Sequence, residues 1–362
     1  MPRKKKTETP VLIPEGYTYS ELRPLVETTL KARISVLLRG HPGVGKSALA
    51  KDLAQAMKLP LIDIRLAQRD PAELCGVYFP DHAGNQLKLL PPEWVKQACS
   101  EPCLVFLDEI NSAVTRLHQA AAYQIVLEHR VGNFQFHPET AVMGAGNLEE
   151  DNAIVTSLSS ALCNRFAHFI MRPDISTWLE WGARNGIDDA ILAYIAGSSI
   201  DELYDNNGDF AFPTPRSWEM ASRVYQLAQP GDQKRAMAAC IGPAAADRFF
   251  AFHRIFGQVD VQGIIDRGVA IDFSKGKKAE PSFIYAAVFA VAAGLSERET
   301  LSDNQVANVA AFMASPGLDP EFLILFLRQL KYQSRIFDLL KPDKTFQQIA
   351  AGLVSIQAMM YQ

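Results

Sequence analysis

One short loop, residues 40–47, restricts the fold of this chain more than any other part of the sequence. It reads GHPGVGKS and fits the pattern G-x-x-x-x-G-K-[ST]. An apolar run at residues 35–38 precedes it, and a helical pattern at residues 48–57 follows it. In such a loop, backbone N–H groups surround phosphates at a helix N-terminus, Lys46 offsets phosphate charge and Ser47 can bind Mg²⁺. The predicted nucleotide-binding residues are Gly40, His41, Pro42, Gly43, Val44, Gly45, Lys46, Ser47 and Ala48.

The composition is that of a folded globular chain of two or three domains. Apolar residues make up 48% of the 362 residues, which excludes disorder for the bulk of the chain. Lysine and arginine number 36 against 40 acidic residues, a formal net charge of −4, so a strongly basic nucleic-acid-binding surface is not a global property. Five scattered cysteines, an odd number, indicate reduced thiols rather than a disulfide scaffold.

The sequence favours a cytoplasmic protein. The basic run at residues 3–6 has no apolar stretch behind it, so we expect no secretory signal. The longest apolar run, residues 283–295, has 13 residues, whereas a spanning helix needs about 20. We expect it to form a buried helix, and we expect no membrane insertion.

Short apolar runs alternate with helical patterns in the first half of the chain. The runs lie at residues 34–38, 61–64, 104–107, 141–143 and 166–171. This alternation predicts an α/β domain in which helices cover both faces of a parallel sheet. Residues 77–80 and 86–90 flank a turn-like segment and predict an inserted β-hairpin, while every pattern after residue 173 is helical.

Two carboxylates end the apolar run at residues 104–107. Asp108 and Glu109 would stand at the carboxyl edge of the sheet, where parallel sheets present ligand-binding groups. Asp108 is predicted to hold Mg²⁺ through its water shell, together with Ser47, and Glu109 to polarise the attacking water as a general base. Alone, the pair could cap a helix, but the phosphate loop upstream favours the catalytic interpretation.

Three further residues are weaker candidates when each is taken by itself. Asn147 ends the run that begins at residue 141 and could bridge the γ-phosphate and the attacking water, or simply occupy a turn. Arg165 precedes the last predicted strand, and Arg216 stands at a helix start. Each arginine alone is better explained by a surface ion pair.

The chain order of these features resembles that of the AAA+ ATPases, and within them the MoxR family. The match runs over about residues 18–225, and the sequence Asp108-Glu109-Ile110-Asn111 and the inserted hairpin carry the closer likeness. The resemblance implies a strand order of 5-1-4-3-2, a helical lid and a ring, usually of six subunits, with ATP and Mg²⁺ between neighbours. It also implies that Asn147 is sensor 1, Arg165 the arginine finger that reaches a neighbouring subunit, and Arg216 sensor 2.

One departure from the family pattern leaves open which arginine is the arginine finger. The family commonly has an aspartate before the finger Arg-Phe, whereas this chain has Asn164. Arg130 is the rival interface arginine.

The domain hypothesis is a disordered basic tail at 1–15, a nucleotide-binding α/β domain at 16–173 with the hairpin near 77–90, a helical lid at 174–230 and a helical C-terminal extension at 231–362.

The resemblance suggests an ATPase that remodels, activates or helps mature a protein client, possibly with a von Willebrand factor A domain protein. The alternatives are a nucleic-acid translocase or restriction-type motor, a chelatase-like motor subunit, and a nucleotide-gated scaffold without catalysis. A nucleic-acid motor should have a basic stripe, yet the hairpin carries one lysine, Lys88, against one aspartate, Asp81. The residues predicted for turnover, Glu109 and Arg165, argue against an inactive scaffold.

Overall fold

The computed structural model describes residues 16–82, 84–112, 115–148, 158–206, 209–333, 336–344, 346–349 and 351–352. The predicted tail at 1–15 lies outside these residues. The chain forms two compact units, and the division falls between Arg172 and Pro173. The second unit comprises both segments that the sequence divides into lid and extension, and their separate roles stay a prediction.

The first unit alternates strands and helices. Its elements are α1 (Tyr19–Lys31), β1 (Val36–Gly40), α2 (Lys46–Met57), β2 (Leu61–Arg65), α3 (Pro71–Cys75), β3 (Val77–Asp81), β4 (Gln86–Leu90), α4 (Glu93–Ser100), β5 (Leu104–Asp108), α5 (Arg116–Glu128), β6 (Arg130–Val131), β7 (Phe134–Gln135), β8 (Ala141–Gly146), α6 (Ser160–Cys163) and β9 (Ala167–Met171).

A five-stranded sheet with the order β2-β5-β8-β1-β9 forms the centre of the first unit. All four pairings are parallel, with Leu37 opposite Gly144 and Leu107 also opposite Gly144. Counted along the chain, the five core strands lie in the order 5-1-4-3-2, so the predicted α/β fold and strand order are confirmed. The phosphate loop follows β1, which has neighbours on both sides.

The strand boundaries differ from the prediction at two places. The first strand begins at Val36 rather than at Ile34, because Ile34 is 49% exposed and directly follows Arg33, whose positive φ turns the chain after α1. The last strand begins at Ala167 rather than at residue 166. These shifts leave the phosphate loop and the sheet order unchanged.

Two hydrophobic clusters bury the two faces of this sheet. Leu37 and Val105 belong to the cluster that includes residues of α4 and α5, whereas Val36 and Phe106 belong to the cluster that includes α1 and α2. Adjacent residues of a strand point to opposite faces, so a strand that is covered on both sides must be apolar throughout. This explains why the three central strands, β1, β5 and β8, are almost entirely apolar, whereas the edge strands β2 and β9 include exposed polar residues.

Two antiparallel hairpins extend from the first unit. One pairs β3 with β4, from Val77 opposite Leu90 to Asp81 opposite Gln86, at the place where the sequence predicts an insertion. The other pairs the two-residue strands β6 and β7 and was not predicted. Gly132 and Asn133 form its two-residue connection, and a Gly-Asn step between apolar residues is a hairpin signal that the sequence contains.

All elements described after Pro173 are helices. They are α7 (Ile175–Arg184), α8 (Asp189–Ala196), α9 (Ile200–Leu203), α10 (Pro215–Leu227), α11 (Gln233–Ile241), α12 (Pro243–Phe256), α13 (Val261–Arg267), α14 (Pro281–Ser296), α15 (Asp303–Met313), α16 (Pro320–Gln333) and α17 (Ile336–Leu340). Helix α14 contains the longest apolar run and is buried around most of its circumference, as the sequence predicts. None of the helices among the described residues combines the length and the apolar character that crossing a bilayer requires.

Candidate nucleotide-binding site

The loop between β1 and α2 has the conformation that phosphate binding requires. Gly43 and Gly45 have φ values of 76° and 108°, in the region that side chains other than glycine rarely adopt. A Cβ atom on Gly40 would lie 2.6 Å from the Met171 carbonyl oxygen, so β1 and β9 could not approach each other so closely. Helix α2 begins at Lys46 immediately after Gly45, and its first backbone N–H groups therefore adjoin the loop.

Lys46 joins the loop to the carboxyl end of β8. Its side chain is only 9% exposed, and Nζ donates to the carbonyl oxygens of Gly40 at 2.6 Å and His41 at 3.0 Å. The same ammonium donates to Oδ1 of Asn147 at 2.9 Å. The predicted phosphate-binding lysine and the predicted sensor 1 amide are thus in direct contact.

Ser47 and Asp108 place two oxygen ligands next to each other. The Ser47 hydroxyl donates to Oδ2 of Asp108 at 2.8 Å, and the Glu109 backbone N–H donates to Oδ1 of the same carboxylate at 2.9 Å. Within the described ranges, no three His, Cys, Asp or Glu residues form a metal cluster. Mg²⁺ does not need such a cage, because it usually takes one or two protein oxygens together with phosphates and water. The Ser47 and Asp108 oxygens fit that mode of binding.

Three cysteines of this unit have thiols that are poorly suited to nucleophilic attack or metal binding. Burial raises the pKa of the Cys75, Cys99 and Cys103 thiols above the ordinary value. A raised pKa keeps the thiol protonated, and the thiolate is the form that attacks substrates and binds metals.

Glu109 has a positive φ of 56°, which is rare for a residue with a side chain. The turn that follows β5 is held by two backbone hydrogen bonds, from Ile110 N–H to the Ala145 carbonyl and from Ser112 N–H to the Glu109 carbonyl, both 2.9 Å. Strained backbone of this kind is found preferentially at functional sites. The turn keeps Glu109 at the carboxyl edge of the sheet, immediately after Asp108.

Asn111 is a site residue to which the sequence analysis gave no role. Its side chain is 5% exposed and makes two hydrogen bonds to the backbone of Asn147: Nδ2 donates to the carbonyl oxygen at 2.8 Å, and Oδ1 accepts from the N–H at 3.0 Å. An amide two residues after Glu109 and a glycine before Asn147 were visible in the sequence. Their pairing depends on a contact between residues 36 positions apart, which no local pattern shows.

The two rival finger arginines have different surroundings. Arg165 is exposed; its Nη2 donates to the Tyr123 hydroxyl at 3.4 Å, and its guanidinium carbon lies 5.9 Å from the Tyr123 ring centroid. Arg130 instead forms an ion pair with Glu128, with Nε 2.5 Å from Oε2. Within the part of the chain that the structure describes, no carboxylate pairs with Arg165. Of the two guanidinium groups, only that of Arg130 has a carboxylate partner among the described residues.

Arg216 belongs to the second unit. It is exposed in the first turn of α10, behind a capping box in which Thr214 and Ser217 bond to each other's backbone N–H groups. Pro215 occupies the first turn, as the sequence pattern of a helix start predicts. The structure forms two hydrogen-bonded sets at this site, which are adjacent along the chain: Gly40, His41, Lys46, Asn147 and Asn111 in one, and Ser47, Asp108 and Glu109 in the other.

Residues 36–174 match the family model described as "ATPase family associated with various cellular activities (AAA)". This segment is under half of the chain and comprises the sheet and the site described above. The match supports an AAA ATPase domain in the first unit. Such domains bind ATP with Mg²⁺ and hydrolyse it, which agrees with the residues gathered at the site.

The chain is also similar to several known proteins. It is 26% identical to midasin from Giardia intestinalis over 190 residues, which are 48% of this chain and 4% of that protein. It is 35% identical to the peroxisomal ATPase pex6 from Schizosaccharomyces pombe over 83 residues, 23% of this chain and 8% of that protein. A solved structure of a RuvB point mutant from Thermotoga maritima aligns with 81% of this chain and 88% of its own, at 13% identity and a TM-score of 0.39. The chain thus spans only a small part of the length of these two curated relatives.

Proposed function

We propose that this chain is an ATP-hydrolysing AAA+ ATPase of the MoxR type, which assembles into a homo-oligomeric ring of six and remodels a protein partner. The observation that carries the ATPase part is the contact of Lys46 with both the phosphate loop and Asn147, beside the Ser47 and Asp108 pair. Groups for phosphate, metal and water thereby meet at one edge of the sheet. The AAA match over residues 36–174 and the likeness to a peroxisomal ATPase support the same activity.

Each residue of the site has a distinct task in this proposal. The loop N–H groups and Lys46 bind the phosphates, and Ser47 and Asp108 would hold Mg²⁺, which would supply further positive charge. Glu109 accepts a proton from the attacking water, and the Asn147 amide orients that water. Arg165 acts on the nucleotide of a neighbouring subunit, and Arg216 acts from the helical lid as sensor 2.

The hairpin of β3 and β4 supports a protein client rather than a nucleic acid. Five of its large apolar side chains are 58–67% exposed, an unusual concentration for a soluble surface: Val77, Tyr78, Phe79, Leu87 and Leu90. Its one lysine, Lys88, lies 2.5 Å from Asp81 in an ion pair. An apolar surface whose lysine is already paired fits a polypeptide and offers little attraction to a phosphate backbone.

The remaining parts of the proposal concern organisation and setting. Residues 16–173 form the nucleotide-binding domain, residues 174–230 the lid, and residues 231–362 an extension that offers further surface to a partner or adaptor. A von Willebrand factor A domain protein is the adaptor that the MoxR resemblance suggests. The cytoplasm is the proposed location, in agreement with the reduced cysteines.

ATP turnover tests the enzymatic part directly. We expect Mg²⁺-dependent phosphate release from the wild-type protein and none above background from Lys46→Ala. The matched control is Lys51→Ala, which removes an exposed lysine from the same helix and should keep wild-type turnover. Equal loss in both variants would assign the effect to helix α2 as a whole rather than to the phosphate contact.

The client part is tested by changing the hairpin. Replacing residues 86–89 by a Gly-Ser turn should leave basal ATP hydrolysis within about threefold, since an insertion on the surface contributes little to phosphate chemistry. Glu109→Gln should hold a protein partner in the presence of ATP, because slow hydrolysis prolongs the ATP-bound state. When the Gly-Ser turn is added to Glu109→Gln, this retention of the partner should be lost. Leu227→Ser, which changes an exposed leucine of the second unit, should keep that retention.

Two outcomes would contradict this assignment of the hairpin. Collapse of basal hydrolysis in the Gly-Ser variant would show that the segment is needed for the site itself. Strong stimulation of the wild-type protein by short DNA, removed by salt, would favour the nucleic-acid motor instead.

A further inference from the structure

The Asn111 carboxamide replaces a backbone peptide group at the end of the sheet. Direct pairing of β5 with β8 runs to Leu107 opposite Gly144, and the next bond joins Ile110 N–H to the Ala145 carbonyl. Beyond that point the main chain of β5 has turned away at Glu109. The side chain of Asn111 then supplies the donor and the acceptor that the backbone of Asn147 requires.

Gly146 permits this contact. A Cβ atom at position 146 would lie 2.5 Å from Oδ1 of Asn111, closer than nonbonded atoms can approach. The two hydrogen bonds therefore depend on a specific pair of residues, an asparagine at 111 and a glycine at 146. This pairing is a built feature of the site and lies beyond the direct pairing of β5 with β8, which ends at Gly144, whereas β8 pairs with β1 as far as Gly146.

We propose that Asn111 is a positioning residue for ATP hydrolysis, which holds the backbone of Asn147 at a fixed place relative to Glu109. This inference rests on the proposed ATPase function. Glu109 lies two residues before Asn111, so the side chain of Asn111 joins the segment that carries the general base to the residue that orients the water. Asn147 is also the residue whose Oδ1 accepts from Lys46. Both described side-chain hydrogen bonds of Asn111 go to the backbone of Asn147, so its proposed action is through that residue.

The expected effect falls on turnover rather than on nucleotide binding. Asn111→Ala leaves the half-buried N–H and C=O of Asn147 without these partners, so the Asn147 backbone should shift. A displacement of about 1 Å at a catalytic group can cost about 100-fold in rate, and we expect kcat to fall by about 10- to 100-fold. The affinity for a non-hydrolysable ATP analogue should change by less than about threefold, because the loop and Lys46 provide most of that binding.

Asn111→Asp gives a signature that a merely structural role would not produce. Its carboxylate can still accept from Asn147 N–H, but the second oxygen would face the Asn147 carbonyl and repel it. Protonation converts that oxygen into a donor and restores both bonds. Burial and the nearby Asp108 and Glu109 carboxylates raise the pKa of the introduced carboxyl, whereas the Lys46 ammonium, which bonds to the Asn147 side chain, opposes that rise. We expect burial to dominate, so the rate of Asn111→Asp relative to wild type should rise as the pH is lowered from about 8 to about 6. The same ratio for Asn111→Ala should stay constant.

The experiment measures phosphate release, analogue affinity, and hydrogen exchange of the peptide that contains the Asn147 amide. Support requires slower turnover, near-normal affinity and faster exchange in Asn111→Ala, together with the pH-dependent recovery of Asn111→Asp. Wild-type kcat in Asn111→Ala, or a flat rate ratio for Asn111→Asp, would overturn the inference. Should Asn111→Ala not fold, Gly146→Ala, which displaces the same oxygen, replaces it with the same expected loss of kcat. An inactive wild-type protein would refute the proposed function, which is a separate outcome.

Discussion

Arg165 is expected to complete the active site of a neighbouring subunit. It is exposed, its described partner is the neutral Tyr123 hydroxyl, and it stands in the loop before β9. A guanidinium supplied by a neighbour stabilises charge that grows in the transition state and contributes about 10³–10⁵ in rate. Arg165→Ala should therefore bind ATP with near wild-type affinity and hydrolyse it at least about 1,000-fold more slowly.

A mixture of two inactive variants gives this prediction a magnitude. Arg165→Ala has an intact pocket and no finger, whereas Lys46→Ala has an intact finger and a defective pocket. In randomly mixed rings at equal amounts, half of the pockets are intact, and half of those face an intact finger. About a quarter of the interfaces should be complete, so about a quarter of the wild-type rate per subunit should return.

The assay requires subunit exchange. The two variants are dissociated, mixed, reassembled and shown by native mass to form mixed rings, and phosphate release is then measured across mixing ratios. Activity that stays at the sum of the two separate variants would refute a finger that acts between subunits. Arg130→Ala in place of Arg165→Ala should keep near wild-type activity, because Glu128 already pairs with Arg130. Tyr123→Phe, which removes only the 3.4 Å hydrogen bond to Arg165, should lower the rate by less than about threefold.

Two predictions concern the stability of the helical unit. Burial lowers the pKa of His253, and the charge of Asp188 opposes this only in part. The unfolded chain therefore binds a proton at this position at higher pH than the folded chain does. The free energy of unfolding should consequently fall as the pH drops below about 6.5. In His253→Gln, whose amide can still accept from the Tyr225 hydroxyl, denaturant unfolding at pH 7.5 and pH 5.5 should differ less than in wild type, and an equal difference would refute the role of His253. The Phe326 side chain is fully buried, and its ring centroid lies 5.6 Å from that of Phe312. Phe326→Ala should leave a cavity and lower the free energy of unfolding by about 3–5 kcal/mol. A loss under about 1 kcal/mol would show that the core closes around the cavity.

Much of the first unit could be predicted from the sequence, because its signals are local. The phosphate loop lies between an apolar run and a helical pattern, and the three central strands β1, β5 and β8, which are covered on both faces, appear as apolar runs. The strand order came from the family resemblance and was confirmed. The AAA match and the sheet support an AAA ATPase domain in the first unit, while the MoxR type, the ring and the client remain proposals.

The details that escaped prediction depend on distant contacts or on very short elements. The hairpin of β6 and β7 has only two residues in each strand, too few for an alternating pattern. The positive φ of Glu109 is imposed by the turn toward β8. The bonds from Asn111 to Asn147 join residues that only the β5 and β8 pairing brings together.

The most direct test of the central claim is a comparison of ATP binding and ATP turnover in Glu109→Gln. The variant keeps Lys46, the loop, and the Ser47 and Asp108 pair, and removes only the carboxylate that we propose as the general base. Because a general base acts as the transition state forms, the variant should bind Mg²⁺–ATP within about threefold of wild-type affinity while turnover falls by at least about 100-fold. Turnover close to the wild-type rate, or a loss of ATP affinity as large as that of Lys46→Ala, would contradict the division of roles on which the account rests.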